Sequence, residues 1–248
     1  MEMPKTTDLT AVKAMAIKFL DIKPEPIDNP VVAGLGYINH PFFESSIIPT
    51  LKTVNGKQEY GFADIFKDTE ELKKAKDCIK EEIINGNLGT IFARLVKKYR
   101  LTFLKFIKPY LSKNDFEKIL IEQWIMSENP NQDANITIEE FVQWFSQADR
   151  KNLMEKDELE YYNNLPETVK IYRGVAVGRA EQQGLSWTCN YETAKWFSQR
   201  FDRADEKGYI IKGEIAKKDI FAYLNGRNED EILCNSSKVM NKEIIKED

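Results

Sequence analysis

The chain has 248 residues, 36 basic and 40 acidic, for a formal charge of −4; with 42% hydrophobic and 31% charged residues it is neither disordered nor bilayer-embedded. Charges cut every apolar run well short of the roughly 18 residues of a spanning helix, and the start MEMPKTTD lacks a basic-then-apolar leader. Three cysteines without paired spacing (Cys78, Cys189, Cys234) exclude a disulfide scaffold and a Cys-rich zinc site, and point to a reducing compartment.

The first half reads as helical. Leu9, Val12, Ala16 and Leu20 form one helical stripe, and KPEPIDNP then breaks the pattern. Residues 34–66 are dense in Gly and Pro and read as irregular. Asp68 and Glu71 have capping-box spacing, and Asn85-Gly86 supplies the stop. Residues 90–111 give the strongest pattern: Phe92, Leu95, Val96, Tyr99, Phe103, Phe106, Ile107 and Tyr110 predict one continuous helix. Further helices are expected at 114–126, from Thr137 onward, and over 153–162. After Leu165-Pro166 the texture changes. VKIYRGV alternates like a strand, and GLSWT follows a Gly turn. Asn190 caps a short helix with the stripe Ala194, Phe197, Phe201. Strand-like runs GYIIKGEI, IFAYL, EDEILCN and KVMNKEII complete the chain. Helices first and strands after predict an α+β fold. The change of texture divides it into a mostly helical region, 1–111, for scaffolding or target recognition, and a region 112–248.

Four features invite chemistry. His40, alone in the chain, would have to serve any Ser-His-Asp, Cys-His or His-zinc site; its setting in NHPFF predicts a structural histidine instead. From Arg94 to Lys113 seven basic residues occur without an acid, so the 90–111 helix could meet nucleic-acid phosphates or an anionic membrane surface; the acidic total charge favours a solvated face. The segment NPNQDANITIEEF echoes a calcium loop at Asn129, Asn131, Asp133, Asn135, Thr137 and Glu140. Ala134 stands where the sharp turn needs Gly, so a Thr137/Glu140 capping box is the better reading, and no metal is expected. The fourth feature lies in the last third. Arg173 ends a strand, Ser186 and Thr188 flank Trp187, and Glu229 and Glu231 flank Asp230. In extended chain, residues i and i+2 share a face, so Ser186 pairs with Thr188 and Glu229 with Glu231. Two carboxylates beside Ile232 and Leu233 need partners, because an unpaired buried charge is costly.

The order of these motifs across residues 165–240 (Tyr-Arg-Gly at a strand end, Ser-x-Thr before a helix, Glu-x-Glu in a late strand) resembles the Arg-Ser-Glu class of mono-ADP-ribosyltransferases. The resemblance implies a split β-sandwich catalytic domain over 112–248, with NAD as co-substrate and a macromolecular acceptor. Carried over residue by residue, Arg173 would hold NAD phosphate with bidentate donors. Ser186 would position nicotinamide and the catalytic glutamate. Glu231 would bind the ribose and stabilise an oxocarbenium-like state. Glu229 would activate the acceptor, which in this class is a protein arginine when a glutamate stands there. Gly174, Trp187, Thr188 and Arg200 complete the implied NAD-binding set, with Phe197 and Arg203 as further candidates; Trp187 replaces the usual middle threonine. The histidine-type branch does not fit, since His40 precedes the matched segment and Arg173 fills the first motif. The expected protein is a cytoplasmic enzyme, and its Lys-, Ile- and Asn-rich composition suggests a bacterial or phage source and a host-protein target. The alternatives are a catalytically silent binding protein on the same fold and an NAD glycohydrolase.

Overall fold

The computed structural model describes residues 3–54, 57–127, 130, 133–178, 184–203 and 205–246. The fold is mixed α+β and divides into two compact units, Met1–Glu128 and Asn129–Asp248. Among the described residues no helix is long and apolar enough to cross a membrane.

In the first unit the elements run α1 (Leu9–Leu20), β1 (Glu25–Pro26), α2 (Pro30–Gly34), β2 (Ile38–Asn39), β3 (Ile47–Val54), β4 (Lys57–Asp64), α3 (Thr69–Asn85), α4 (Leu88–Arg94), α5 (Arg100–Ile107) and α6 (Lys113–Met126). The α1 stripe is as expected: Val12, Ala16 and Leu20 are buried. Phe103 of α5 meets Phe19 and Phe92 edge-on, with ring centroids 5.1 and 5.6 Å apart. Residues 34–66 are irregular only over their first part. From Ile47 to Asp64 they hold the antiparallel hairpin β3–β4, whose register sets Leu51 against Tyr60 and Pro49 against Phe62. One hairpin face (Ile48, Thr50, Ala63) is buried, whereas Leu51, Tyr60 and Phe62 are exposed. Pro49 and Gly61, which read as breakers, sit inside paired strands, so composition hid the alternation.

The single helix expected over 90–111 is broken. α4 ends as Leu95 turns extended (ψ 135°), and the Val96 N–H leaves the helical pattern to donate to Pro41 O at 2.8 Å. Short 3-10 turns at Lys97–Tyr99 and Lys108–Tyr110 bracket α5. The apolar positions still go inward, because Phe92, Leu95, Phe103 and Ile107 are all buried. The cations do not form one stripe: Arg94 pairs with Glu82, Lys98 bonds Asn39, and Arg100 bonds the Leu95 carbonyl. The α6 helix, assigned from sequence to the region beginning at 112, belongs to the first unit, where it packs on α5. His40 is wholly buried. Its Nδ1 accepts from the N–H groups of Phe42 and Phe43 (3.0 and 3.2 Å) and its Nε2 lies 2.9 Å from Ile22 O. This fixes a neutral ring with the proton on Nε2.

In the second unit α7 (Ile138–Gln147), α8 (Arg150–Leu153) and α9 (Lys156–Asn164) precede β5 (Thr168–Val175), β6 (Ser186–Thr188), α10 (Tyr191–Gln199), β7 (Tyr209–Ala216), β8 (Ile220–Leu224), β9 (Glu231–Cys234) and β10 (Met240–Ile245). Thr137 and Glu140 cap α7 reciprocally. The Asp133 carboxylate accepts from Asn135 N at 2.8 Å, and Asn129 and Asn131 of the calcium-loop echo lie outside the described residues. Among those described, no cluster of His, Cys, Asp and Glu could hold a metal. The expected 153–162 helix is instead α8 and α9, restarted by a Glu155/Glu158 box.

The strands form one antiparallel sheet in the order β10-β7-β5-β6-β9-β8. β5 pairs with β7 along its whole length but meets β6 at a single register pair, Tyr172 with Thr188. The sheet is therefore two three-stranded halves joined at that point. α10 packs on β5 and β7, while α8 and α9 pack on β8. Close approach of α10 requires Gly174: a Cβ there would lie 2.1 Å from Ala194 O and 2.6 Å from Ser198 N. The inward positions of α10 are Ala194 and Ser198, not the expected Ala194–Phe197–Phe201 stripe, and Phe201 is exposed.

Candidate functional site

The motif residues come from both halves of the sheet. Arg173 lies near the end of β5, where its side chain is almost buried. Its Nη1 donates to Ser186 O across the β5–β6 junction. The guanidinium lies over Gly184, where any Cβ would strike it, so the glycine before β6 makes room for the arginine. Ser186 and Thr188 share a face of β6 as expected, opposite Leu233 and Glu231 of β9. Glu231 is 6% exposed. Its Oε1 accepts from Ser186 Oγ at 2.5 Å, a hydrogen bond to a carboxylate of the stronger kind, about 1.5–3 kcal/mol. One serine thus holds both ends of the set: its carbonyl takes the arginine and its hydroxyl the glutamate.

Glu229 differs from expectation. β9 begins at Glu231, and Asp230 has φ 47°, so Glu229 sits in the preceding turn rather than on an extended strand beside Glu231. Asn228 is also left-handed, at φ 55°. The two acids converge by another route. Arg227 Nη2 is 2.8 Å from Glu229 Oε2 and 3.7 Å from Glu231 Oε2. The turn is tied from several sides. Thr188 Oγ1 donates to Glu229 O at 2.7 Å, and Cys189 N donates to Asp230 O at 3.1 Å. Asp230 N donates to Asn225 Oδ1, and Asn225 N donates to the buried Glu158 of α9 at 2.7 Å. The Asp230 carboxylate accepts from Tyr223 OH at 2.7 Å, and Tyr223 stacks on Tyr161 at 4.0 Å. Burial, then that hydrogen bond, pushes the Tyr223 phenol well above its ordinary range, so it remains the donor. Sequence reasoning missed Arg227, Asp230, Tyr223, Asn225 and Glu158. The one local signal is the dense polar run NGRNED, which reads as a turn.

The remaining candidates fall outside this cluster. Trp187 is buried and its indole donates to Gly184 O at 3.2 Å, so burial takes its ring out of reach of a ligand; it is a core residue. Thr188 serves the turn, bonding Glu229 O and receiving Asn190 N at 3.0 Å. Gly174 is where α10 docks. Arg200 is exposed at the end of α10, with its guanidinium 5.3 Å from the ring centres of both Trp196 and Phe201. Cys189, beside the turn, is pushed up to about 11 by burial and then by Asp230, so its thiol stays protonated and is no nucleophile at neutral pH.

Cavities elsewhere among the described residues include one of about 250 Å³ in the first unit, lined by Phe92, Arg100, Gln123 and Met126, and one of about 420 Å³ beside α7, lined by Val142, Asn235 and Lys242. Neither brings together a serine, an acid pair and an arginine as the β5–β6–β9 cluster does. The cluster joins an arginine, a serine and two carboxylates. No protein-family model, curated protein or solved structure matches the chain.

Proposed function

We propose that the protein is a mono-ADP-ribosyltransferase that moves ADP-ribose from NAD to an arginine of a macromolecular acceptor, on a split sheet of the ADP-ribosyltransferase type. The observation that carries this reading is the joining of Arg173 and Glu231 through Ser186. Three residues in the Arg, Ser, Glu order, from strands 13 and 45 residues apart, meet at one serine. The single-pair junction between β5 and β6 supports it, since it opens the sheet beside that serine.

NAD supplies a bond from C1′ of ribose to a cationic nicotinamide, a good leaving group. The chain's residues do the rest. Arg173 holds phosphate through its guanidinium. Ser186 fixes Glu231 through Oε1, and a carboxylate held there favours positive charge developing on ribose. Glu229, tied by its carbonyl to Thr188, is aimed at the same place and can take a proton from an incoming guanidinium. Substrates in this reading are NAD and a protein; nucleic acid is less favoured, because the cations of 94–113 do not form a continuous face.

The test is incubation of the purified chain with labelled NAD and a bacterial lysate, reading nicotinamide release and label transfer together. The native chain is expected to do both. Glu231→Gln, which keeps a hydrogen-bond partner for Ser186, is expected to lose both by about 100-fold or more. Glu229→Gln is expected to lose transfer more than NAD hydrolysis, because water needs less help than a guanidinium. Release without label would make the protein an NAD glycohydrolase. Neither activity in the native chain would refute the enzyme reading and leave the silent binding protein.

A further inference from the structure

The first unit holds a groove that the proposed transfer chemistry does not use. One wall is α4, with Leu88 and Phe92; the other is one face of α6, with Ile119 and Met126. Gly89 and Ala93 also line the α4 wall, and a Cβ on Gly89 would meet Asn87 Oδ1 at 3.3 Å and no atom of α6. These small residues, one turn apart, leave about 250 Å³ between the helices.

Polar side chains line this otherwise apolar space. Gln123 is 1% exposed, in a stripe whose other buried members include Phe116, Ile119, Leu120 and Trp124. Among the described residues nothing donates to its Oε1, and a buried, unpaired amide oxygen calls for a partner. Arg100, at the start of α5, stands at the Met126 end. Its Nε donates to Leu95 O at 3.0 Å, but its Nη1 meets only the Met126 sulfur at 3.8 Å, a weak acceptor. Glu122 is exposed on the same wall as Gln123.

We propose that this groove is a binding site for a zwitterionic α-amino acid with an apolar side chain. Arg100 takes the carboxylate, Glu122 and Gln123 Oε1 take the ammonium group, and Phe92, Ile119 and Met126 take the side chain. A guanidinium and a carboxylate on the walls favour a ligand carrying both signs over a net anion or a net cation. The volume lies below the roughly 300–1,000 Å³ of pockets for drug-sized ligands, so the ligand is small. The groove shares no residue with the β5–β6–β9 cluster, so its test is separate from that of the transferase reading.

The experiment is calorimetric titration of the purified full chain with L-phenylalanine and L-leucine, alongside melting temperatures. Saturable binding of one molecule per chain is expected. 3-Phenylpropionate lacks the ammonium group, phenethylamine the carboxylate and glycine the side chain; each should bind about tenfold more weakly or worse. Gln123→Leu should weaken both amino acids at least about tenfold, while its melting temperature without ligand holds or rises, because Leu suits the stripe and removes the unpaired amide. Arg100→Gln should weaken L-phenylalanine and 3-phenylpropionate together and leave phenethylamine unchanged. No binding of either amino acid at millimolar concentration would overturn the proposal and leave a groove that holds water only. Binding that Gln123→Leu leaves intact would overturn it by putting the site elsewhere. Equal affinity for L-phenylalanine, 3-phenylpropionate and phenethylamine would overturn it by making the groove an unselective apolar cleft.

Discussion

His40 shows how burial decides what a residue can do. Its ring accepts two backbone N–H groups through Nδ1 and meets Ile22 O through Nε2, all inside the first unit. Burial, and then the nearby Lys76, holds its pKa down at about 4. Protonating Nδ1 would also oppose two donors. In the unfolded chain the same ring takes up a proton near its ordinary value, about 6.5. Between those values the unfolded state binds more protons than the folded state, so stability falls as pH is lowered from about 6.5 to about 4 and is fully present above that window. The matched control is His40→Asn, whose side-chain oxygen can still accept the Phe42 and Phe43 N–H groups but does not titrate. Denaturant midpoints across the window should drop more steeply for the native chain than for His40→Asn. Parallel slopes would mean that His40 titrates alike in both states. The chain's one histidine is thereby a loop-fixing residue. It was legible from the sequence as structural, but its hydrogen-bond partners were not, because Ile22 lies eighteen residues away.

At the scale of elements, the docking of α10 on β5 and β7 turns on small residues. Gly174 permits contact between the β5 backbone and the α10 backbone, and Gly208 is crowded in the same way by Ser198 O, 1.9 Å from a would-be Cβ. Gly174→Ala forces α10 outward, and overpacking of this kind costs about 1–3 kcal/mol. Gly226→Ala, at a position with nothing within 4 Å, is the control and should change stability little. Urea unfolding of the two variants checks this, and equal midpoints would show that α10 yields without cost. The displaced helix also adjoins Arg173, so the proposed activity should fall with stability in Gly174→Ala. This element was legible up to a point. The Asn190 cap and the 191–199 helix follow from local chemistry, since the Asn190 side chain accepts from Glu192 N and Thr193 N. Which face goes inward did not, because Phe197 outranks Ser198 on hydrophobicity and only the tertiary partner β5 reverses that order. The 90–111 helix failed similarly. Its periodicity correctly named the buried side, but the hydrogen bond from Val96 N to Pro41 O, which ends the helical run, joins residues 55 apart.

At the scale of the whole molecule, everything proposed for the site lies in one unit. Arg173, Ser186, Arg227, Glu229 and Glu231, and the residues that hold the turn (Glu158, Tyr161, Thr188, Cys189, Tyr223, Asn225), all fall within Asn129–Asp248. That unit has its own buried centre in Ile171, Trp187, Ile210, Ile215, Ile232 and Leu233, in a sheet whose edge strands are β10 and β8. Its size, about 120 residues, is ordinary for an autonomous domain. The division near residue 111 read from the sequence differs because texture follows secondary structure: α6 looks like the start of a new helical set, yet it packs on α5. A fragment cut at 112 would therefore carry α6 away from its partner and expose Phe116, Leu120 and Trp124, which are buried in the full chain. A fragment of 129–248 should unfold in one cooperative transition, with a near-ultraviolet signal from buried Trp187 and no binding of a hydrophobic dye. A fragment of 112–248 should bind the dye. The comparison is decided by the added seventeen residues: if 112–248 is the better-folded of the two, α6 belongs with the sheet and the division at Glu128 does not mark an independent unit.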